Sequence, residues 1–329
     1  MPLTLHPSPS EVACPPSRSL PRLRRAGMLT TGALVGAMLT SITTGGVLSA
    51  APAKAAAVTP PPVTVYVADV ILNQVVSIAP AAGEQTAVGS GLNQPNGVAI
   101  DTRGAVFIAD TSNNRVVKVT PDGTVTTVLD TGLYAPTRVA VNAAGDVFIS
   151  DTLHQRVLKL PSDGGPQTTV GTNLRTPSGI AVDTTGNLFI ANFDGGTVVK
   201  IPGDGSPQTI VATGLNRPDG VAVDNAGNVY IANQGDSRVV KVPVDGGPHT
   251  EIGADLNGPS GVAVDAAANV YIADSSNHRV VMVPAGGGGQ SIIGTGFALP
   301  TDVAVAPTAS PTPPTPSHGT GSLSGFGSS

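Results

Sequence analysis

Tryptophan is missing from this 329-residue chain, cysteine occurs once, and the aromatic residues amount to four tyrosines and six phenylalanines. The lone Cys14 lies ahead of an apolar stretch, so no disulfide framework can form within the chain and packing alone has to hold it together. Charged residues are scarce at 12%. Glutamate is scarcer still: beyond residue 55 only Glu84 and Glu251 remain, in segments that do not converge, which argues against a paired-glutamate acid/base mechanism. Abundance lies in 41 glycines and 30 prolines, a composition suited to many short strands joined by tight turns.

Residues 1–55 read as an export signal. A basic segment with Arg18, Arg22, Arg24 and Arg25 precedes an uncharged stretch from Ala26 to Ala53, and Ala53-Lys54-Ala55 fits an A-x-A cleavage site. The pair Arg24-Arg25 is compatible with the twin-arginine route. A competing reading keeps the stretch as an uncleaved anchor, since about 25 uncharged residues can span a bilayer. Its glycines, its threonines and the cleavage motif favour removal and a secreted or envelope-associated mature form that does not span the membrane. Removal takes five basic residues and one acid from totals of 17 and 22, leaving a net charge near −9. That sign opposes nonspecific binding to nucleic acid or anionic lipid. Residues 56–62 follow as a linker, and 308–329, mostly Pro, Ser, Thr and Gly without an apolar period, are expected as a disordered tail.

Between them the sequence repeats. Val67-Ala68-Asp69, Ile108-Ala109-Asp110, Ile149-Ser150-Asp151, Ile190-Ala191-Asn192, Ile231-Ala232-Asn233 and Ile272-Ala273-Asp274 recur at an unbroken spacing of 41, as do Pro95, Pro136, Pro177, Pro218, Pro259 and Pro300. A period near 40 with short strands indicates a propeller or solenoid. One period resolves into strands at Gly97–Ile100, Val106–Ala109, Arg115–Val119 and Thr124–Val128, and four antiparallel strands per repeat make a propeller blade. Residues 63–89 supply a blade without its first strand, and Pro300–Val305 supply a first strand alone. Pairing these fragments closes a six-bladed, all-β propeller and leaves no open edge between the chain ends. Tyr66, Phe107, Phe148, Phe189, Tyr230 and Tyr271 share one second-strand position and are expected in the core, while Ala99, Ala140, Ala181, Ala222, Ala263 and Ala304 mark the first strand, where the blades converge.

The unit PNGVAIDTRGAVFIADTSNNRVVKVTPDG, echoed in PSGVAVDAAANVYIADSSNHRVVMVPAGG, resembles the NHL repeat, and the resemblance spans residues 63–307. The Val-Val-Lys and Gly-Leu-Asn-x-Pro pieces are similar to the extracellular sensor domains of actinobacterial serine/threonine kinases, although no kinase segment accompanies them here. The resemblance implies a propeller that serves as a platform for protein, RNA or ligand, with lyases among its relatives; fold alone does not choose between these.

Residue chemistry narrows the choice. A zinc site needs three or four ligands near one point, whereas His154 and His278 replace Asn in loops of separate blades. Calcium sits at the axis of lactonase-type propellers, on unlike residues from different blades, whereas Asp101, Asp183, Asp224 and Asp265 recur at one turn position and read as turn caps. No cofactor is therefore expected, and an enzyme of lactonase or lyase type with an axial metal stands as the alternative. Asp110, Asp151 and Asp274 with Arg115, Arg156 and Arg279 are expected to organise the loop between strands two and three. Lys118, Lys159, Lys200 and Lys241 form a row on strand three, read as solvated or Asp-paired. Shared residues make the scaffold, so specificity is sought where repeats disagree. The loops joining strands two and three and those leading into strand one share a face, where Tyr134, Arg138, His154, Arg175, Phe193, Arg217, Asp219 and Asp302 break the pattern, as do His278 and Phe297. Arg138 and Asp302 stand where the other four repeats have Gly. Aromatic and guanidinium groups are enriched at binding hot spots, so these residues form the candidate site of a monomeric binding scaffold, with a protein or an envelope ligand as partner.

Overall fold

The computed structural model describes residues 62–80 and 83–307; the expected signal, the linker before residue 62 and the tail lie outside the described residues. Twenty-four strands form six four-stranded antiparallel sheets. Blade 2 holds β4 (Pro95–Ile100), β5 (Val106–Asp110), β6 (Arg115–Val119) and β7 (Val125–Leu129), within two residues of the boundaries read from the alternation. Blades 3 to 6 repeat it, with first strands β8 (Pro136–Val141), β12 (Pro177–Val182), β16 (Pro218–Val223) and β20 (Pro259–Val264). Blade 1 is composite. Its first strand, β24 (Pro300–Val305), comes from the far end of the chain and pairs antiparallel with β1 (Val65–Asp69), in the register Val65 with Val305, Tyr66 with Ala304 and Val67 with Val303. The six first strands pack on one another around the axis, each against that of the next blade.

The second strands of blades 2 to 6, such as Val-Phe-Ile-Ala-Asp in β5, are buried along their whole length, because a neighbouring blade covers each face. Outer strands are exposed and short, which suits sheet edges. The core is divided into six clusters, each spanning two consecutive blades; Phe107, for example, packs on Val139, Val147, Ile149 and Leu158 of blade 3. Five of the six second-strand aromatics are buried and Tyr66 is half-buried. The first-strand alanines stand directly across the ladder from these rings, Ala99 opposite Phe107 and Ala304 opposite Tyr66. Their small size is thus set by the aromatic partner. They do not mark a closed axis, since Ala99, Ala140 and their equivalents line an axial cavity of about 230 Å³. The lysine row lies over the same aromatics, 5.1 Å from the ring centre for Lys118 over Phe107 and 5.3 Å for Lys241 over Tyr230. Lys159 also bonds Asp146 at 2.9 Å.

Candidate functional site

The loop architecture is built on a buried carboxylate. Asp110 has no solvent exposure; it accepts hydrogen bonds from the Asn93 amide at 2.7 Å, from Asn113 Nδ2 at 2.8 Å and from Arg115 Nε at 2.7 Å. Arg115 reaches on to the Gly91 carbonyl at 2.9 Å. One carboxylate thereby ties the loop entering β4 to the loop between β5 and β6, as Asp151 with Arg156 and Asp274 with Arg279 do in blades 3 and 6. Backbone bonds complete the join: the Leu153 amide donates to Tyr134 O at 3.3 Å and the Gln234 amide to Arg217 O at 3.2 Å. The two loop sets therefore form one continuous face.

At the centre of that face the second residue of every first strand is polar: Asn96, Thr137, Ser178, Asp219, Ser260 and Thr301. With Gln234 and Phe193 they line two cavities, of about 460 and 220 Å³, which share Asn96, Asp219 and Gln234 and together make a polar bowl around the axis. The blades differ at the start of the loop beside the bowl. In blades 2, 3 and 6 a hydroxyl at the loop start, Thr111, Thr152 or Ser275, bonds the first carbonyl of the next blade's first strand. Phe193 and Gln234 hold that position in blades 4 and 5 and carry no hydroxyl.

Beneath the bowl, Arg138 crosses the channel. In four blades the equivalent residue is Gly, and a Cβ at Gly97, Gly179 or Gly220 would collide with a backbone carbonyl of the next first strand, those of Thr137, Asp219 and Ser260. Arg138 is 3% exposed and Asp302 7%. The guanidinium donates to Asn96 O at 3.1 Å and to the Asn96 side chain, to Thr301 O at 3.0 Å, and at 3.5 Å to Ser260 O and Asp219 Oδ1. Its Nε lies 3.5 Å from Asp302 Oδ1 and has no hydrogen-bond partner among the described residues. Asp302 Oδ2 accepts the Val98 amide at 2.9 Å. Burial pushes the Asp302 carboxyl up to about 6, with Arg138 and the Val98 amide pulling the other way and the Asp219 charge adding to the rise.

The family model of the NHL repeat matches residues 92–119, 215–242 and 256–281, in register with the 41-residue spacing and with blades 2, 5 and 6 of the closed ring. This chain is a six-bladed β-propeller that carries NHL repeats. No curated protein sequence matches it. Among solved structures, the NHL propeller is similar to a chain of a nidogen/laminin complex, with 19% identity over 74% of this chain and 98% of the other and a TM-score of 0.64. It is also similar to a streptogramin B lyase, at 15% identity, covering 63% and 72% of the two chains, with a TM-score of 0.54. A catalytically inactive virginiamycin B lyase from Staphylococcus aureus, solved with quinupristin, gives 16% identity, 63% and 73% coverage and a TM-score of 0.52. At such identities these likenesses concern the fold.

The NHL propeller sorts the sequence-derived candidates into groups. Arg138 and Asp302 are not on exposed loops but on the first strands β8 and β24, buried at the axis beside the partly buried Asp219, because a residue at the Gly position points into the channel. Phe193 and Arg217 form a cation–π pair at 6.0 Å, and both line the bowl along with Asp219. Tyr134 and His154 pair with ring centres 5.7 Å apart, exposed and outside the bowl. Arg175 is exposed and lines neither bowl cavity. The two loop histidines hold different positions: His154 stands at the Asn113 place, bonding Asp151 at 2.9 Å, and His278 at the Asn114 place, in the left-handed conformation that ends the short 3-10 turn. Phe297 is buried in the cluster between blades 6 and 1. Among the described residues no three His, Cys, Asp or Glu side chains gather as metal ligands. Asp101, Asp183, Asp224 and Asp265 each accept amides of their own turn. Sequence reasoning missed Asn96, Thr137, Ser178, Ser260, Thr301 and Gln234. The signal was present, since the residue after each marker proline is polar in all six repeats.

Proposed function

We propose that this propeller is a binding scaffold outside the cytoplasm whose specificity resides in the axial bowl. The observation that carries the reading is the bowl itself: polar side chains from all six first strands converge on one opening beside an aromatic ring. A few placed polar groups in a concave site fix orientation and selectivity. Rigid strands position them, and the buried Asp–Arg clasps hold the surrounding loops. The neighbour in the nidogen/laminin complex supports use of this fold in protein assembly. The export-type sequence before Ala56 supports placement in the envelope or beyond, where the partner is a protein or an envelope ligand. Affinity capture from envelope extracts tests the reading. The wild-type propeller is expected to retain a partner that a Gln234→Ala/Asp219→Asn double variant loses at unchanged melting temperature, while Tyr134→Ala/Arg175→Ala retains it. Equal capture by the bowl variant would overturn the assignment.

A further inference from the structure

Three charged side chains meet at the axis: Arg138 lies 3.5 Å from both Asp219 and Asp302, and among the described residues no other charged group lies within ion-pair distance of any of them. One guanidinium is thus divided between two carboxylates, and one negative charge is left over. The surroundings favour cations twice over. Backbone carbonyls of Asn96, Ser260 and Thr301 already receive the Arg138 guanidinium, and the Phe193 ring on the bowl wall already carries that of Arg217. Asp219 faces the bowl with an oxygen, Oδ2, whose one side-chain partner, Gln234, is at 3.4 Å.

We propose that the bowl accepts a cationic group, a guanidinium or ammonium of the partner, on Asp219, and that a proton on Asp302 competes with it. The inference rests on the reading of the bowl as the binding site. The competition follows from charge balance. With Asp302 ionised the triad has a surplus negative charge in a desolvated place, and a cation in the bowl neutralises it. With Asp302 protonated the triad is already neutral, Arg138 has Asp219 as its sole counter-ion, and the entering cation loses its partner. Asp302 is the group that titrates: its carboxyl is held up at about 6, with Arg138 and Asp219 as its charged neighbours and Arg217 at the rim of the bowl. Cation binding therefore strengthens above that pH and weakens below it.

Three probes of similar size test this on the intact mature chain: n-propylguanidinium, neutral n-propylurea and anionic butyrate, followed by NMR at the Asp219 carboxyl carbon and the Val98 amide. The guanidinium is expected to shift both saturably at pH 7.5, with affinity on the order of ten-fold weaker at pH 5, a coupling of ordinary size between linked sites. Asp219→Asn removes the binding, and Asp302→Asn binds at pH 7.5 as weakly as the wild type does at pH 5. Equal affinity at both pH values overturns the competition, and so does an Asp302→Asn variant that keeps the wild-type pH dependence. Shifts from the urea or butyrate without the guanidinium overturn the cation class and leave the bowl standing. Silence from all three probes overturns the cation site, whereas the bowl reading falls only if partner capture survives the bowl variant. Should Asp302→Asn fail to fold, the wild-type comparison between the two pH values decides alone.

Discussion

Asp302 sits where an ionised carboxylate is penalised. Its folded value of about 6 lies above the ordinary 3.8. The folded chain therefore takes up a proton between these values that the unfolded chain does not, and the stability gained is fully present only below the unfolded value of 3.8 and is lost as pH rises through about 6. The linkage is on the order of 3 kcal/mol. Turn aspartates such as Asp183 and Asp224 are shifted down by hydrogen bonds that outweigh the burial raising them, and so oppose this trend at low pH. The difference between variant and wild type isolates the Asp302 contribution. Asp302→Asn is expected to be more stable than the wild type by about 1 to 3 kcal/mol in urea unfolding at pH 7.5 and to lose that margin progressively as pH falls through 6 towards the unfolded value of 3.8. A margin independent of pH would show that the carboxyl is not strained. The sequence marked Arg138 and Asp302 as departures from Gly but not where they point. The position that is Gly in four repeats reflects the close approach of first strands around the axis.

Among elements, β24 has the largest consequence for its length. It supplies the inner strand of blade 1, buries Val303, covers β1 and contributes Thr301 and Asp302 to the axis. Each buried apolar side chain is worth about 1.5 to 3 kcal/mol, and the exposed β1 edge invites association. Deleting residues 299–307 is expected to lower the calorimetric melting temperature by about 10 °C or more, at roughly 2–4 °C per kcal/mol for a domain of this size, and to promote aggregation. An unchanged melting temperature would contradict closure through this strand. Strand order, blade number and closure were all legible in the 41-residue period, because buried second strands and turn residues repeat with little variation. Strand ends were less legible. Alternation stops at Gly97, yet pairing continues to Pro95 through a bulge opposite Asp110.

For the whole molecule, the ring gives one face its character. The turns of the opposite face are near copies of one another, while the loop face differs from blade to blade around a shared centre. Loop residues such as Tyr134 and Arg175 were visible as exceptions to the repeat. The bowl was not, because it is assembled from one modest polar residue per blade, each separated from the next by 41 positions and made adjacent only by closure. Binding at the centre would therefore engage several blades together. Hydrogen exchange by mass spectrometry on the mature propeller, with and without its captured partner, tests this most directly. Protection is predicted in the segments around Asn96, Asp219, Gln234 and Ser260, from at least three blades at once. Protection confined to the outer strands or to the turns of the opposite face would contradict the account.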